Sequence, residues 1–463
     1  MRETDQSATD EPETDGTARW EWWPDYAPRE RIRSLQASKL TRQASRVYAN
    51  APFWRRKFEQ EGVTPEMIAS VDDAPDLPYG LKDEYRAAQR EHPPYGGLLC
   101  RPREEIHAEG GFVWESSGTT GTPLRFLCSQ REYYRTDVNA TCRILWMAGL
   151  RPGDTVAMCW PLTLWAVGHG IIDAARTMNV TVLPLGPSYS SEFRVKKLDQ
   201  YRPAALMTTP SYALRLVEKS DAEDVDPAAV GLDRVIVSGE PLPESTREEI
   251  AAAWDVGDAV YNYYGFSEAF NCRSIECEHH DGIHVLEDLY LCQVEREDGT
   301  LADEGELGEL VVTALEQRDI STGFHFRTGD VGRYTDEACA CGRTTRRIEI
   351  VSRKDDMRTI RGVNVFPQAI ESVVLDMTRL GNEFRLIHHT DRSLDGLTVL
   401  AEPAPDLDRT AYEPVRDELS RRLEAAFGGM SVDVDLVAPG QLDGFDFKAA
   451  RWHEEDPDYD SAI

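Results

Sequence analysis

The run Glu115 to Phe126, "ESSGTTGTPLRF", gathers the hydroxyls of Ser116, Ser117, Thr119, Thr120 and Thr122 around Gly118 and Gly121. Hydroxyl donors beside glycines let a backbone turn its N–H groups towards an anion. A Walker A loop closes on Gly-Lys-Ser/Thr and this run does not, so read alone it is a plain turn. Three further stretches carry chemistry in a fixed order. "NYYGFSEAF", Asn262 to Phe270, sets an aromatic, a glycine and a carboxylate together. "FRTGDVGRY", Phe326 to Tyr334, puts Asp330 after a tight glycine turn, as an acceptor suited to sugar hydroxyls. "SRKDDMRTIRGVNVFPQAIE", Ser352 to Glu371, is a charged, hinge-like stretch leading into a helix expected to start at Pro367.

A separate constellation concerns metal. "ECEHHDGIH" (Glu276 to His284) and "EACACGRT" (Glu337 to Thr344) offer Cys277, His284, Cys339 and Cys341 for a tetrahedral Cys₃His site. Such a site is closed, and therefore structural. The Cys-x-Cys spacing is tighter than that of a standard finger, and the two halves lie about 55 residues apart. Two separate turns with unrelated thiols stay open as the other reading. His280 competes as fourth ligand, and Cys272 is a weaker alternative.

Short apolar runs alternating with helices supply the scaffold. "DTVAMCW", "VTVLPLG", "AALMTTP" and "RVIVSGE" read as buried strands, with "SYALRLVEK" and "EEIAAAWD" as intervening helices. That alternation predicts an α/β fold with a mainly parallel sheet covered on both faces, and ligands at the carboxyl ends of its strands. Ala27 to about Gly97 is helical and polar, with "RERIRSLQASKLTRQASRVYANAPFWRRKFEQEG" its clearest amphipathic run. After Ala269 the strands carry more charge and predict a β-rich, mixed or antiparallel part. Beyond "IVSRKDDM" the texture becomes a compact α+β unit. The expected division is a disordered acidic tail at 1–18, a large domain at 19–353 and a small mobile domain at 354–463. No internal repeat is evident.

The chain has 463 residues, of which 41% are apolar, so its cores can be large and more than one domain is expected. Subtracting 82 acidic residues from 51 basic ones leaves a net charge of -31, which argues against nucleic acid and anionic membrane as partners. No signal peptide opens the chain. Thr155 to Ile172 is uncharged, but Pro161, Gly168, His169 and Gly170 break it into a strand, a loop and a helix. Nine cysteines without a leader are expected to be thiols or metal ligands in a cytoplasmic protein. Cys100, Cys128, Cys142, Cys159 and Cys292 are expected to pack in apolar surroundings.

The motifs "SSGTTGTP", "SGEPL", "YYGFSE", "FRTGD", "RKDDM", "RGVNVFPQAIE" and "DFKAARW" together resemble the adenylate-forming superfamily, and within it the phenylacetate-CoA ligase-like enzymes. The resemblance spans roughly Ala27 to Trp452. It implies ATP-dependent activation of an aromatic carboxylic acid as acyl-AMP, then transfer to CoA. A carrier-protein thiol or an amine is the alternative acceptor, nitrite an alternative oxyanion, and a silent nucleotide-binding module the remaining class. By the same resemblance Ser116 to Thr122 would grip the ATP phosphates, with Thr122 where many relatives have lysine. Gly239, Glu240 and Pro241 would line the adenine pocket, Tyr264 would stack on the base, and Gly265 and Ser267 would border the nucleotide. Glu268 would hold Mg²⁺, Asp330 the ribose hydroxyls, and Arg353 would approach the nucleotide. Asp355 would be the hinge, and Lys448 would bridge carboxylate and α-phosphate, a cation where two anions must meet. Gly168 and His169, with Tyr133, Tyr134 and Trp165, would border the acid pocket. Some relatives carry zinc at a similar cysteine pattern, which favours structural Zn²⁺ here. The expected partners are a small carboxylic acid and CoA or a carrier protein; a homodimer stays open.

Overall fold

The computed structural model describes residues 20, 22–116, 122–269, 272–354, 358–361, 363–365, 367–389, 396–404, 407–427, 429–442 and 452–453. The loop residues Ser117, Gly118, Thr119, Thr120 and Gly121, the hinge Asp355, Lys448 and the tail at 1–18 lie outside them.

The amphipathic run near the start forms two helices, α1 (Arg29–Asn50) and α2 (Pro52–Glu61), because Ala51 is extended and Pro52 can only begin a helix. α1 buries Ile32, Gln36, Leu40, Ala44 and Val47, a stripe spaced by one helical turn. α3 (Lys82–Glu91) follows, and then a hairpin of β1 (Gly111–Glu115) and β2 (Arg125–Ser129) brackets the hydroxyl-rich run.

The expected β/α alternation is present. Strands β3 (Thr155–Met158), β4 (Thr181–Pro184), β5 (Ala205–Thr208), β6 (Arg234–Val237) and β7 (Val260–Tyr264) lie parallel, in the order β4-β3-β5-β6-β7. Helices α4 (Asn139–Met147), α5 (Ala166–Thr177), α6 (Ser191–Tyr201), α7 (Pro210–Ser220) and α8 (Glu244–Trp254) accompany them. Thr155 to Ile172 is a strand, a loop and the start of α5, and among the described residues no helix is long and apolar enough to cross a membrane.

β7 is the turning point of the sheet, parallel to β6 and antiparallel to β8 (Ser274–Glu276). Beyond it the same sheet continues antiparallel through β9 (Ile283–Val285), β10 (Tyr290–Glu295), β11 (Gly308–Ala314), β12 (Phe326–Thr335) and β13 (Arg347–Arg353). Among the described residues it has 11 strands. Across its back Arg143 of α4, buried, binds both Asp25 at 2.6 Å and Asp288 at 2.9 Å, tying the first residues to the sheet.

From β14 (Arg358–Ile360) and β15 (Val363–Val365) onward the chain builds its own core around Ile360, Phe384, Val399 and Leu419. Helices α9 (Pro367–Leu375) and α10 (Tyr412–Ala426) pack on a sheet ordered β18 (Asp433–Leu436), β17 (Gly396–Pro403), β16 (Leu380–His389), β19 (Trp452–His453). Cys100, Cys128, Cys142, Cys159 and Cys292 are all buried free thiols, and burial pushes Cys100 up to about 12. Unreactive packing residues are what such thiols make.

Candidate active site

The carboxyl ends of β5, β6 and β7 open into a cleft of about 1710 Å³. That exceeds the roughly 300–1,000 Å³ of an ordinary small-molecule pocket and leaves room for a nucleotide and a second substrate. Thr209 after β5, Ser238 to Pro241 after β6 and Gly265 to Glu268 after β7 line it, at the place where a parallel sheet gathers ligands.

Of the sequence-selected residues, the cleft brings together Ser116, Trp165, Gly239, Glu240, Pro241, Tyr264, Gly265, Ser267, Glu268, Asp330 and Arg353. Gly239 has φ +89°, a backbone conformation that an L side chain rarely adopts, so the turn after β6 needs glycine. Glu240 has a job besides lining the wall. Its Oε2 accepts from the Ser211 N–H at 3.1 Å and its Oε1 from the Ser211 hydroxyl at 3.0 Å, which fastens this turn to the first residues of α7.

A buried polar unit joins β7 to β12 and β13. Tyr264 donates its hydroxyl to Asp330 Oδ2 at 2.5 Å, and Arg353 Nη1 donates to Asp330 Oδ1 at 2.7 Å. Asp330 and Arg353 are direct cross-strand partners, which is why residues 23 positions apart meet. Burial, with the Asp330 charge, pushes the Tyr264 hydroxyl well above its usual range, so the phenol stays protonated and donates. Glu268 is 5% exposed, and Lys82 of α3 places its Nζ 3.2 Å from Glu268 Oε1.

Ser116 is 7% exposed, and its Oγ accepts from the Leu124 N–H at 3.0 Å, closing the neck of the hydroxyl-rich run. Thr122 does not line the cleft; its carbonyl accepts from Arg86 Nε at 3.1 Å. Gly168 and His169 also stay outside the cleft wall. A Cβ on Gly168 would come 2.7 Å from the Pro161 carbonyl, so close backbone approach accounts for that glycine. His169 turns its Nε2 to the Thr163 carbonyl at 2.9 Å. Tyr133 binds Asp173 at 3.1 Å, and Tyr134, 43% exposed, borders a separate hollow with Glu109, Gln130 and Arg131. Lys82 and Arg86 escaped the sequence reading because "LKDEYR" carries no chemical texture of its own, and Ser211 because it opens a run read only as a helix.

Away from the cleft, Cys277, His284, Cys339 and Cys341 converge with all four ligand atoms within 4.8 Å of one another. Cys277 and Cys339 sulfurs are 3.6 Å apart, and Cys341 Sγ is 3.6 Å from His284 Nε2. The other ring nitrogen of His284 meets Thr345 Oγ1 at 3.1 Å, a partner that orients a metal-binding imidazole. Burial, helped by Arg343 and Arg347, lowers His284 to about 3, so the ring is neutral and has a lone pair to give. Of the competing ligands, His280 faces Glu276 at 3.2 Å and the Asp258 carbonyl at 2.6 Å, and Cys272 is buried elsewhere. Three thiols, of which Cys341 is half-buried and the other two buried, with one neutral imidazole suit a soft or borderline dication.

Two family descriptions match the chain: AMP-binding enzyme over residues 72–314, and AMP-binding enzyme C-terminal domain over residues 362–455. A phenylacetate-coenzyme A ligase of Thermus thermophilus is 31% identical over 434 residues, covering 89% of this chain and 94% of that protein. Its namesake from Pseudomonas putida is 30% identical, covering 92% of this chain and 94% of that one. Among solved structures, 2-hydroxyisobutyryl-CoA ligase in a postadenylation state with an acyl-AMP superposes with a TM-score of 0.87 at 28% identity, over 97% of this chain and 95% of that one. The same ligase in a thioesterification state with CoA gives 0.69.

Proposed function

The chain belongs to the AMP-binding enzymes and, among them, to the phenylacetate-CoA ligase family, and from that premise we propose that it is an acid–CoA ligase working through an acyl-AMP. One observation carries the reading at the residue level: Tyr264, Asp330, Arg353 and Glu268 meet in a single cleft at the end of β7. A carboxylate of the substrate attacks the α-phosphorus of ATP, pyrophosphate leaves, and a mixed anhydride forms. The CoA thiol then attacks the carbonyl carbon and AMP leaves.

Tyr264 offers its ring to adenine, and Asp330, oriented by Tyr264 and Arg353, accepts from the ribose hydroxyls. The turn at Gly239 to Pro241, held by Glu240 on Ser211, shapes the adenine wall. Glu268 is the carboxylate for magnesium, which when bound neutralises phosphate charge. Ser116 to Thr122 would enclose the phosphates, Lys448 would neutralise the meeting anions, and Asp355 would be the pivot at a domain boundary after Arg353. Positioning and charge neutralisation are most of what such a transfer asks of a protein.

The acid is proposed to be aromatic. Trp165 and Phe266 face the cleft, and rings of this kind accept a planar apolar guest. Zinc is the proposed occupant of the Cys277, His284, Cys339 and Cys341 cluster, in a structural role. Free thiols among the described residues and the use of ATP and CoA favour the cytoplasm.

Pyrophosphate release tests the reading, across benzoates, phenylacetates, aminobenzoates, fatty acids and nitrite, with and without CoA. Release with an aryl acid that yields a thioester when CoA is added is the expected result. Turnover indifferent to CoA points to another acceptor, and no turnover with any acid overturns the proposal.

A further inference from the structure

The ladder between β11 and β12 breaks beside Asp330. Glu309 faces Val331 and Val311 faces Arg327, so Thr328, Gly329 and Asp330 stand opposite Leu310 alone. The surplus residues bulge out of the ladder, and a bulge beside a site re-aims the side chain it carries. On its other edge Asp330 keeps its partner Arg353. The carboxylate assigned to ribose therefore sits where one ladder is intact and the other is open.

Several bonds fix the bulge from within. The Asp330 N–H donates to Thr328 Oγ1 at 3.0 Å, and the Thr328 hydroxyl donates to the Leu310 carbonyl at 2.9 Å. The Lys354 N–H donates to the Gly329 carbonyl at 2.7 Å. That leaves the Gly329 N–H, which sits in the stretch without ladder partners on β11. Glu309, itself 6% exposed, supplies the acceptor: its Oε1 takes the Gly329 N–H at 3.3 Å.

The charges around Glu309 do not by themselves account for it. Its Oε2 accepts from Arg327 Nη1 at 3.1 Å and from Lys354 Nζ at 2.8 Å. Arg327 already has Glu295, 3.3 Å from its Nη2, and the Tyr79 ring, 4.1 Å from its guanidinium carbon. The Lys354 side chain is 39% exposed, so water can serve it. A buried carboxylate is expensive to keep where its cations have other partners. What Glu309 adds is the acceptor that Gly329 lacks.

We propose that Glu309 is a positioning residue for the ribose site. By accepting the Gly329 N–H it fixes the bulge from behind, and so sets where the Asp330 carboxylate meets the ribose hydroxyls. Tyr264 and Arg353 orient the tip of that side chain; Glu309 holds its backbone. The inference rests on the reading of Asp330 as the ribose acceptor.

Calorimetric titration of the full chain with AMP and with 2′,3′-dideoxy-AMP tests it. Glu309→Asp keeps the charge but draws the acceptor back by one methylene. It should weaken AMP binding about tenfold, the equivalent of ~1.4 kcal/mol, and leave dideoxy-AMP binding unchanged. Lys354→Met removes a cation from Oε2 and leaves the bond of Oε1 in place, so the preference for AMP should persist. Unchanged AMP affinity in Glu309→Asp, or equal weakening of both ligands, overturns the proposal. An equal loss of preference in Lys354→Met also overturns it, by assigning the effect to the ion cluster. A wild-type chain that binds both ligands equally takes the ribose from Asp330 and the proposal with it, and one that binds neither overturns the reading of the cleft as well.

Discussion

The phenol of Tyr264 donates to Asp330 Oδ2 at 2.5 Å, so the residue assigned to adenine and the residue assigned to ribose form one hydrogen-bonded unit. Tyr264→Phe keeps the ring and removes the proton that orients the carboxylate. A hydrogen bond to a charged group contributes about 1.5–3 kcal/mol, so the KM for ATP should rise at least tenfold. Preference for ATP over 2′-deoxy-ATP should shrink as well. Steady-state pyrophosphate release with both nucleotides checks this, and an unaltered KM would contradict the coupling.

Lys448 separates the two half-reactions. Lys448→Ala should lower acid-dependent pyrophosphate release by about 10²–10³-fold, the range seen when a transition-state charge partner is removed. Breakdown of supplied acyl-AMP by CoA should survive in the same variant. Normal pyrophosphate release would take the adenylation role away from Lys448.

The Cys₃His cluster should hold about one zinc per chain, since structural sites of this type bind one tetrahedral ion. Cys339→Ser with Cys341→Ser should remove the metal and lower the unfolding temperature. The loop that carries both cysteines joins β12 to β13, and those strands hold Asp330 and Arg353. ATP affinity should therefore fall with the metal. Elemental analysis showing full retention of zinc in the double variant would refute the site.

Glu132 shows how a buried acid can set a pH dependence. Its Oε2 accepts from the N–H groups of Arg318 at 3.0 Å and Asp319 at 2.7 Å, while burial, then the Asp319 charge, push its carboxyl well above the usual range. The folded chain keeps a proton that the unfolded chain sheds above about pH 4.5. This stabilisation is full below that pH and declines as pH rises towards the folded value, by at most about 1.4 kcal/mol per pH unit. Glu132→Gln should flatten the fall in stability as pH rises above about 4.5. Equal slopes in urea unfolding of both proteins would dismiss the effect.

Periodicity alone made the parallel half of the sheet legible: "VAM", "ALMT" and "RVIV" are apolar runs bounded by turns, and each became a strand. Asp330 and Glu268 could be picked out because "FRTGD" and "YYGFSE" carry a family resemblance. Their partners could not. That Asp330 meets Arg353 depends on the register of β12 against β13, and no local pattern states a register. Lys82, which meets Glu268, lies on a polar helix that looks solvated until its packing is seen. Gly168 and His169 rest on the resemblance alone, and here they pack against the Pro161 to Thr163 loop, outside the cleft wall. Of the two competing rings, His284 faces the thiols and His280 faces the Asp258 carbonyl, an orientation that no local sequence pattern states.

The lock between the first residues and the late strands has a consequence for synthesis. Gln36 of α1 bonds to the Tyr290 carbonyl, Asp25 to Arg143, and Thr344 to the backbone of Asp25. At about 5–20 residues per second, α1 would wait on the order of 10 to 60 s for its partners to leave the ribosome. During that interval α1 packs against the elements that follow it directly, α2 and the turns at 65–76, while its polar bonds to the late residues wait. The lock between Gln36, Asp25 and the late residues therefore closes last, as a latch on a helical unit already packed upon itself.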